Sequence, residues 1–157
     1  MLRLKEYICE NAENNIKLFF TVEENMKPEP QIISADHIGE LLSYRFRGRE
    51  TITCYIGSNA ATPTTSLQAL TDDITTNHLK LPFLKMIHIL LQGPVPYVEP
   101  GLQDKIMAYS IFSGGAVREA ANRGHAYYLP CSLANIDTLI GQEMKYKPDV
   151  AIIKVCQ

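Results

Sequence analysis

Two short stretches of this 157-residue chain combine small and hydroxyl-bearing residues in a way that suits ligand binding. The first is 57–63: Gly57, Ser58, Asn59, Ala60, Ala61, Thr62 and Pro63. Its small side chains let another molecule approach the backbone, and Ser58, Asn59 and Thr62 add hydrogen-bonding groups. The same residues also read as an ordinary strand-to-helix turn, with Thr62 capping the helix and Pro63 at its first position. The second is 113–116, where Gly114 and Gly115 precede a helix and can form a nest of N–H groups for an oxyanion or a phosphate. A plain glycine turn is the competing reading. Arg118, three residues beyond Gly115, can reach an anion there or stand as an exposed helical arginine.

Other residue types with chemical potential find less support in their surroundings. His88 lies in an apolar run and reads as a core histidine satisfied by one hydrogen bond rather than as a base. His37, His78 and His125 have no carboxylate at ligand spacing, so no metal site is expected. Cys9, Cys54, Cys131 and Cys156 are scattered without a C-x-x-C pair, and the reading is reduced thiols acting as small hydrophobes. Tyr97 and Glu99 sit in a proline-stiffened stretch, where they either border a substrate mouth or make domain contacts.

The elements that must position these groups alternate. Ser34 can cap a helix over 35–44, and 51–56 is rich in β-branched and aromatic residues, as a strand is. Leu67, Leu70 and Ile74 space a helix after Pro63, and the near-continuous apolar run 85–91 fits a strand covered on both faces. A third strand over 109–112 leads through the Gly-Gly turn into an Ala-rich helix ending near Gly124, and a fourth follows at 126–129. Ser132 or Asn135 begins a helix carrying Leu133, Ile136, Leu139 and Ile140, and 149–155 is a final buried strand. This order predicts an α/β domain with a mainly parallel sheet flanked by helices. Residues 1–31 are expected to form an N-terminal helix, a short strand or turn after the polar break at 10–15, and a connector, and 32–157 the α/β domain.

Composition sets the outer bounds. At 17.6 kDa, with 46% hydrophobic and 20% charged residues, the chain has the size and the apolar content of one globular domain. A formal charge of −2 supplies no broad positive field for a nucleic-acid backbone. No apolar stretch approaches the roughly 20 residues of a membrane span, and the first thirty residues lack a signal-peptide pattern, so the expected location is cytoplasmic.

Five short patterns recur in one order: A-A-T-P at 60–63, P-Y-V-x-P at 96–100, F-x-G-G-x-x-R at 112–118, Y-x-P-C at 128–131 and D-V-A-I-I-K-V at 149–155. Together they resemble the N-terminal domain of the acetyl-CoA hydrolase/transferase family, which includes the 4-hydroxybutyrate and butyryl CoA-transferases. The resemblance covers roughly 33–155. It implies the fold of the CoA-transferase superfamily, coenzyme A as acyl-CoA substrate, and transfer of CoA to a short carboxylate through intermediates on a glutamate. It further implies that this glutamate belongs to a C-terminal domain beyond Gln157, so no catalytic residue is assigned among Glu99, Glu119, Glu143 or the rest. The chain would form one wall of the acyl-CoA cleft, with 57–63, Gly114, Gly115 and Arg118 at the substrate. Family members often carry more glycine before A-T-P than Gly57, Ser58 and Asn59 supply. The expected partners are a C-terminal domain or subunit and a second copy of the chain. Two alternatives stand beside this reading: a non-catalytic interaction domain of the same fold, and a phosphosugar isomerase using the Gly-Gly turn for phosphate.

Overall fold

The computed structural model describes residues 6–10, 15–20, 31–76, 79–141 and 146–155. Its strands are β1 (Glu6–Glu10), β2 (Asn15–Phe20), β3 (Gln31–Ser34), β4 (Thr51–Ile56), β5 (Phe83–His88), β6 (Ile106–Ser110), β7 (Ala126–Tyr128) and β8 (Val150–Lys154). The helices are α1 (Ile38–Arg45), α2 (Thr64–Thr75), α3 (Gly115–Asn122) and α4 (Ile136–Gly141). One sheet runs in the order β3-β2-β1-β8-β4-β5-β6-β7. The six strands from β1 to β7 in that order are parallel, and β2 and β3 extend them antiparallel. The fold is α/β, with a mainly parallel sheet flanked by helices.

Register explains where the core sits. Ile52, Cys54 and Ile56 of β4 align with Leu84 and Met86 of β5 and with Val150 and Ile152 of β8, so their side chains share one face. That face packs against Ile38 and Leu42 of α1, Leu67, Leu70 and Ile74 of α2, and Val117 and Ala120 of α3, all buried. Each fully buried Leu or Ile contributes about 1.5–3 kcal/mol, and the three helices are held mainly through these contacts. The opposite face carries Tyr109, on which Tyr127 stacks at 5.2 Å and Tyr146 stands edge-on at 6.0 Å. Tyr146 lies on the return from the edge strand β7 to the central β8, a connection that must cross the opposite face to stay right-handed.

Several expectations need correction. Where a helix is expected before the polar break the chain forms β1, β2 follows the break as a strand, and β1 lies between β2 and β8 in the same sheet as the rest of the domain. The edge of β8 pairs with the β1 backbone from Glu6 to Glu10, and a helix there would leave that edge open. The expected connector lies largely at 21–30, outside the described residues, and Gln31 already belongs to β3. Ser34 ends β3 and caps no helix N–H; its hydroxyl donates to Asp36 at 3.4 Å. The strand expected over 85–91 stops at His88, and the one over 109–112 begins earlier and ends at Ser110. α4 is short and buries none of its residues, and Leu133 before it is exposed. Among the described residues no helix is long and apolar enough to cross a membrane.

Candidate functional site

All six parallel strands end on one side of the molecule, at Glu10, Lys154, Ile56, His88, Ser110 and Tyr128, and both stretches singled out above lie there. In such sheets this is the edge at which ligands bind.

The stretch 57–63 leaves β4 through the buried Gly57, whose N–H donates to the Ile152 carbonyl at 2.8 Å. Its polar groups are largely spent on holding the turn. The Ser58 hydroxyl accepts the N–H groups of Ile89 at 3.0 Å and Leu90 at 3.4 Å. Burial pushes the Tyr55 phenol up, and its hydrogen bond with Ser58 opposes that shift. Asn59 adopts a left-handed backbone (φ 52°), which asparagine tolerates, and its N–H reaches the Leu90 carbonyl at 2.9 Å. Asn59 and Ala60 are the exposed residues of the turn, whereas Thr62 and Pro63 are buried.

Thr62 is not the cap of α2. Its hydroxyl donates to the Asn59 carbonyl at 2.7 Å and accepts the Gln92 N–H at 3.3 Å, and α2 begins two residues later, at Thr64. The first turn of α2 is instead served by Glu10, whose Oε2 accepts the Ser66 N–H at 2.8 Å and the Ser66 hydroxyl at 2.6 Å. The Glu10 side chain is wholly buried, with Lys154 Nζ 3.5 Å from its other oxygen as charge partner. A carboxylate at a helix N-terminus is favoured by the orphan N–H groups and the helix dipole. Nothing local in the sequence marks Glu10 for this role. Replacing Thr62 by valine keeps shape and removes both bonds; the expected cost is about 2 kcal/mol. Thr62→Ser should lose well under half of that in urea melts, and equal losses would assign the effect to the methyl group.

Of the second stretch Ser113 lines a cleft, together with Arg118 beyond it, whereas Gly114 and Gly115 are not among the lining residues. Gly114 sits at the N-terminus of α3 and its carbonyl accepts the Arg118 N–H at 2.9 Å; Gly115 is exposed. Leu90, Phe112, Ser113, Arg118, Ala121, Asn122 and Tyr128 line an open cleft of about 600 Å³. The Arg118 guanidinium is held there by the Ser113 carbonyl at 3.1 Å. No residue of 57–63 lines this space, but Leu90 joins the two stretches. Its backbone binds Ser58 and Asn59, and its side chain stands 3.4 Å from where a Cβ on Gly114 would be.

The remaining candidates differ in their surroundings. His88 is 0% exposed. The Ser110 hydroxyl donates to the Phe112 carbonyl at 2.7 Å, so the His88 Nδ1 that faces it at 3.4 Å carries the hydrogen, and Nε2 is an acceptor with no partner among the described residues. Burial lowers the His88 pKa to about 3. A base so enclosed meets no substrate, which agrees with the core reading. Tyr97 is buried with its ring edge-on to His88 at 6.3 Å, whereas Glu99 is exposed. His37 is exposed and pairs with Glu40 at 3.2 Å, and His125 is half-buried. Cys9 and Cys54 are buried, and burial, then the nearby Asp149, pushes the Cys54 thiol far above its usual range. His78, Glu143 and Cys156 lie outside the described residues. Among the described residues no group of three His, Cys, Asp or Glu side chains is placed to hold a metal ion.

No family model matches the chain. Over 74 residues, 47% of its length, it is 32% identical to the 4-hydroxybutyrate coenzyme A transferase of Clostridium kluyveri. Over 101 residues, 64% of its length, it is 31% identical to the succinyl-CoA:acetate/propanoyl-CoA:succinate CoA transferase of Fasciola hepatica. These matches cover 17% and 20% of the two relatives, so the chain spans about a fifth of their length. Among solved structures, RipA from Yersinia pestis superposes with a TM-score of 0.57 at 19% identity, over 74% of this chain and 27% of RipA. A point mutant of RipA superposes equally well. The sequence similarity is to CoA transferases and is partial; the structural likeness is one of fold.

Proposed function

We propose that the chain is a CoA-transferase-related domain that forms one wall of an acyl-CoA cleft, in a protein that moves coenzyme A between a thioester and a carboxylate. The observation that carries this reading is the 31% identity over 101 residues to a CoA transferase. In the transfer a glutamate carboxylate attacks the acyl-CoA carbonyl and releases CoA as thiolate, leaving an acyl-glutamyl anhydride. The thiolate then attacks the glutamyl carbonyl, which frees the first acid and leaves glutamyl-CoA; the acceptor acid reverses the sequence. Division into such steps lowers each barrier. The role of this chain is to line and orient: Asn59 and Ala60 face the passage at the end of β4, and Gly114, Gly115 and Arg118 border it at α3. The nucleophile is supplied from outside the chain. In support, none of the residues that line the α3 cleft is a carboxylate, and Glu10 is committed to Ser66.

The test is an assay of acetyl-CoA with butyrate or 4-hydroxybutyrate, using the chain alone and together with a candidate C-terminal domain. Turnover only in the mixture is the expected result. Full turnover by the chain alone would put the nucleophile within it, and no turnover in either would remove the transfer reading. A second reading, an interaction domain without chemistry, draws on the exposed Tyr127, Tyr128 and Leu133 near the edge of the sheet. It predicts self-association in sedimentation and no coenzyme A binding.

A further inference from the structure

Two features of the cleft beside α3 suit a ligand. Its walls are apolar: Leu90 follows β5, Phe112 follows β6, Tyr128 ends β7, and Ala121 faces them from α3. Phe112 and Tyr128 remain 39% and 54% exposed, a large aromatic area left open to water. At its rim stands one cation. Arg118 and Ala121 are three residues apart on α3 and so share a helix face, while Val117 and Ala120 turn to the core. The Arg118 guanidinium has five N–H donors, one of which is given to the Ser113 carbonyl, and among the described residues it has no acidic partner.

We propose that this cleft holds an apolar monocarboxylic acid, of medium chain or with an aromatic ring, its hydrocarbon part against Leu90, Phe112 and Tyr128 and its carboxylate on Arg118. A planar guanidinium matches a carboxylate through two parallel N–H bonds. The lining argues against the smallest acids, because acetate has a single methyl group to set against Leu90, Phe112 and Tyr128. A longer or ringed acid covers the aromatic walls that acetate leaves wet. That the head group is a carboxylate rests on the proposed transfer reading; that the ligand is an anion with an apolar tail rests on the lining of the cleft itself.

The experiment is an NMR titration of the chain with the sodium salts of acetate, butyrate, hexanoate, octanoate and phenylacetate, and with hexan-1-ol and hexyl phosphate. Kd should fall about two- to fourfold for each added methylene, with hexanoate well below hexan-1-ol. Arg118→Gln, a change at an exposed helical position, should raise Kd for hexanoate by about tenfold or more and leave hexan-1-ol unchanged. Tyr128→Ala should flatten the dependence on chain length. An affinity independent of chain length, or one indifferent to Arg118→Gln, overturns the proposal, and tighter binding of hexyl phosphate than of any acid overturns the carboxylate. The two readings fail separately. CoA transfer by the chain with its C-terminal partner, but with acetate as good an acceptor as hexanoate, would sink the acid class alone. Chain-length-dependent binding with no transfer to any acid would sink the transfer reading alone.

Discussion

Lowering the pH from 6.5 to 4 should cost the folded chain about 3 kcal/mol through His88 alone, and replacing His88 with methionine should remove that loss. The imidazole closes the end of β5 with no exposed surface, against the ring of Tyr97 and the hydroxyl of Ser110. Protonation there would place a charge in apolar packing, and burial accordingly lowers its pKa to about 3, against about 6.5 in an unfolded chain. The folded value is the lower one, so between those limits the unfolded state binds the extra proton. Stability is therefore complete above about pH 6.5 and falls by about 1.4 kcal/mol per unit as the pH drops toward 3. Methionine fills the same irregular space without a titrating group, and Ser110 keeps its bond to the Phe112 carbonyl. Urea melts of both proteins at pH 7.5, 5.5 and 4.5 isolate the effect, because the surface carboxylates cancel in the difference. A difference that stays constant over this range would mean that His88 titrates normally in the folded chain.

The second large effect separates the two glycine-bearing stretches. Gly57→Ala should lower stability by about 3 kcal/mol, a fall in Tm of roughly 10 °C, whereas Gly115→Ala should raise it by about 0.5 kcal/mol. A Cβ on Gly57 would run into the Ala61 carbonyl oxygen and lie 3.1 Å from Cα of Ile153, both backbone atoms. Neither can yield easily. The Ala61 carbonyl belongs to a turn pinned by the Ala61 N–H on the Ser58 carbonyl at 3.0 Å and the Thr62 N–H on the Asn59 carbonyl at 3.1 Å. Gly115 begins α3 with nothing within 4 Å of a new Cβ, and there alanine gains helix propensity and loses less chain entropy on folding. A pair of melting curves decides it. If both variants melt with the wild type, 57–63 is as open as the start of α3 and the close backbone approach at Gly57 carries no energy.

The sequence by itself determined the parallel part of the architecture, because the signals that build it are local. The β-branched run at 51–56, the spacing of Leu67, Leu70 and Ile74, and the Gly-Gly turn before the Ala-rich helix each report their own element within a few residues. Their alternation implies which ends of the strands meet, and so the edge where 57–63 and 113–118 lie was legible as well. What the polar groups of those stretches do was decided only in the folded chain. Thr62 reads as a cap from its position before Pro63, yet its hydroxyl is engaged by Asn59 and by Gln92, thirty residues on. The cap of α2 is Glu10, fifty-six residues from Ser66, and no local pattern connects them. The same holds for β1, whose five residues read ambiguously until β8, at the far end of the chain, offers them an unpaired edge. Periodicity records the face that an element buries; it does not record the partner. Hydrogen-bond partners distant in sequence are selected when burial leaves a donor or acceptor that must be satisfied, and that condition exists only once the sheet is assembled.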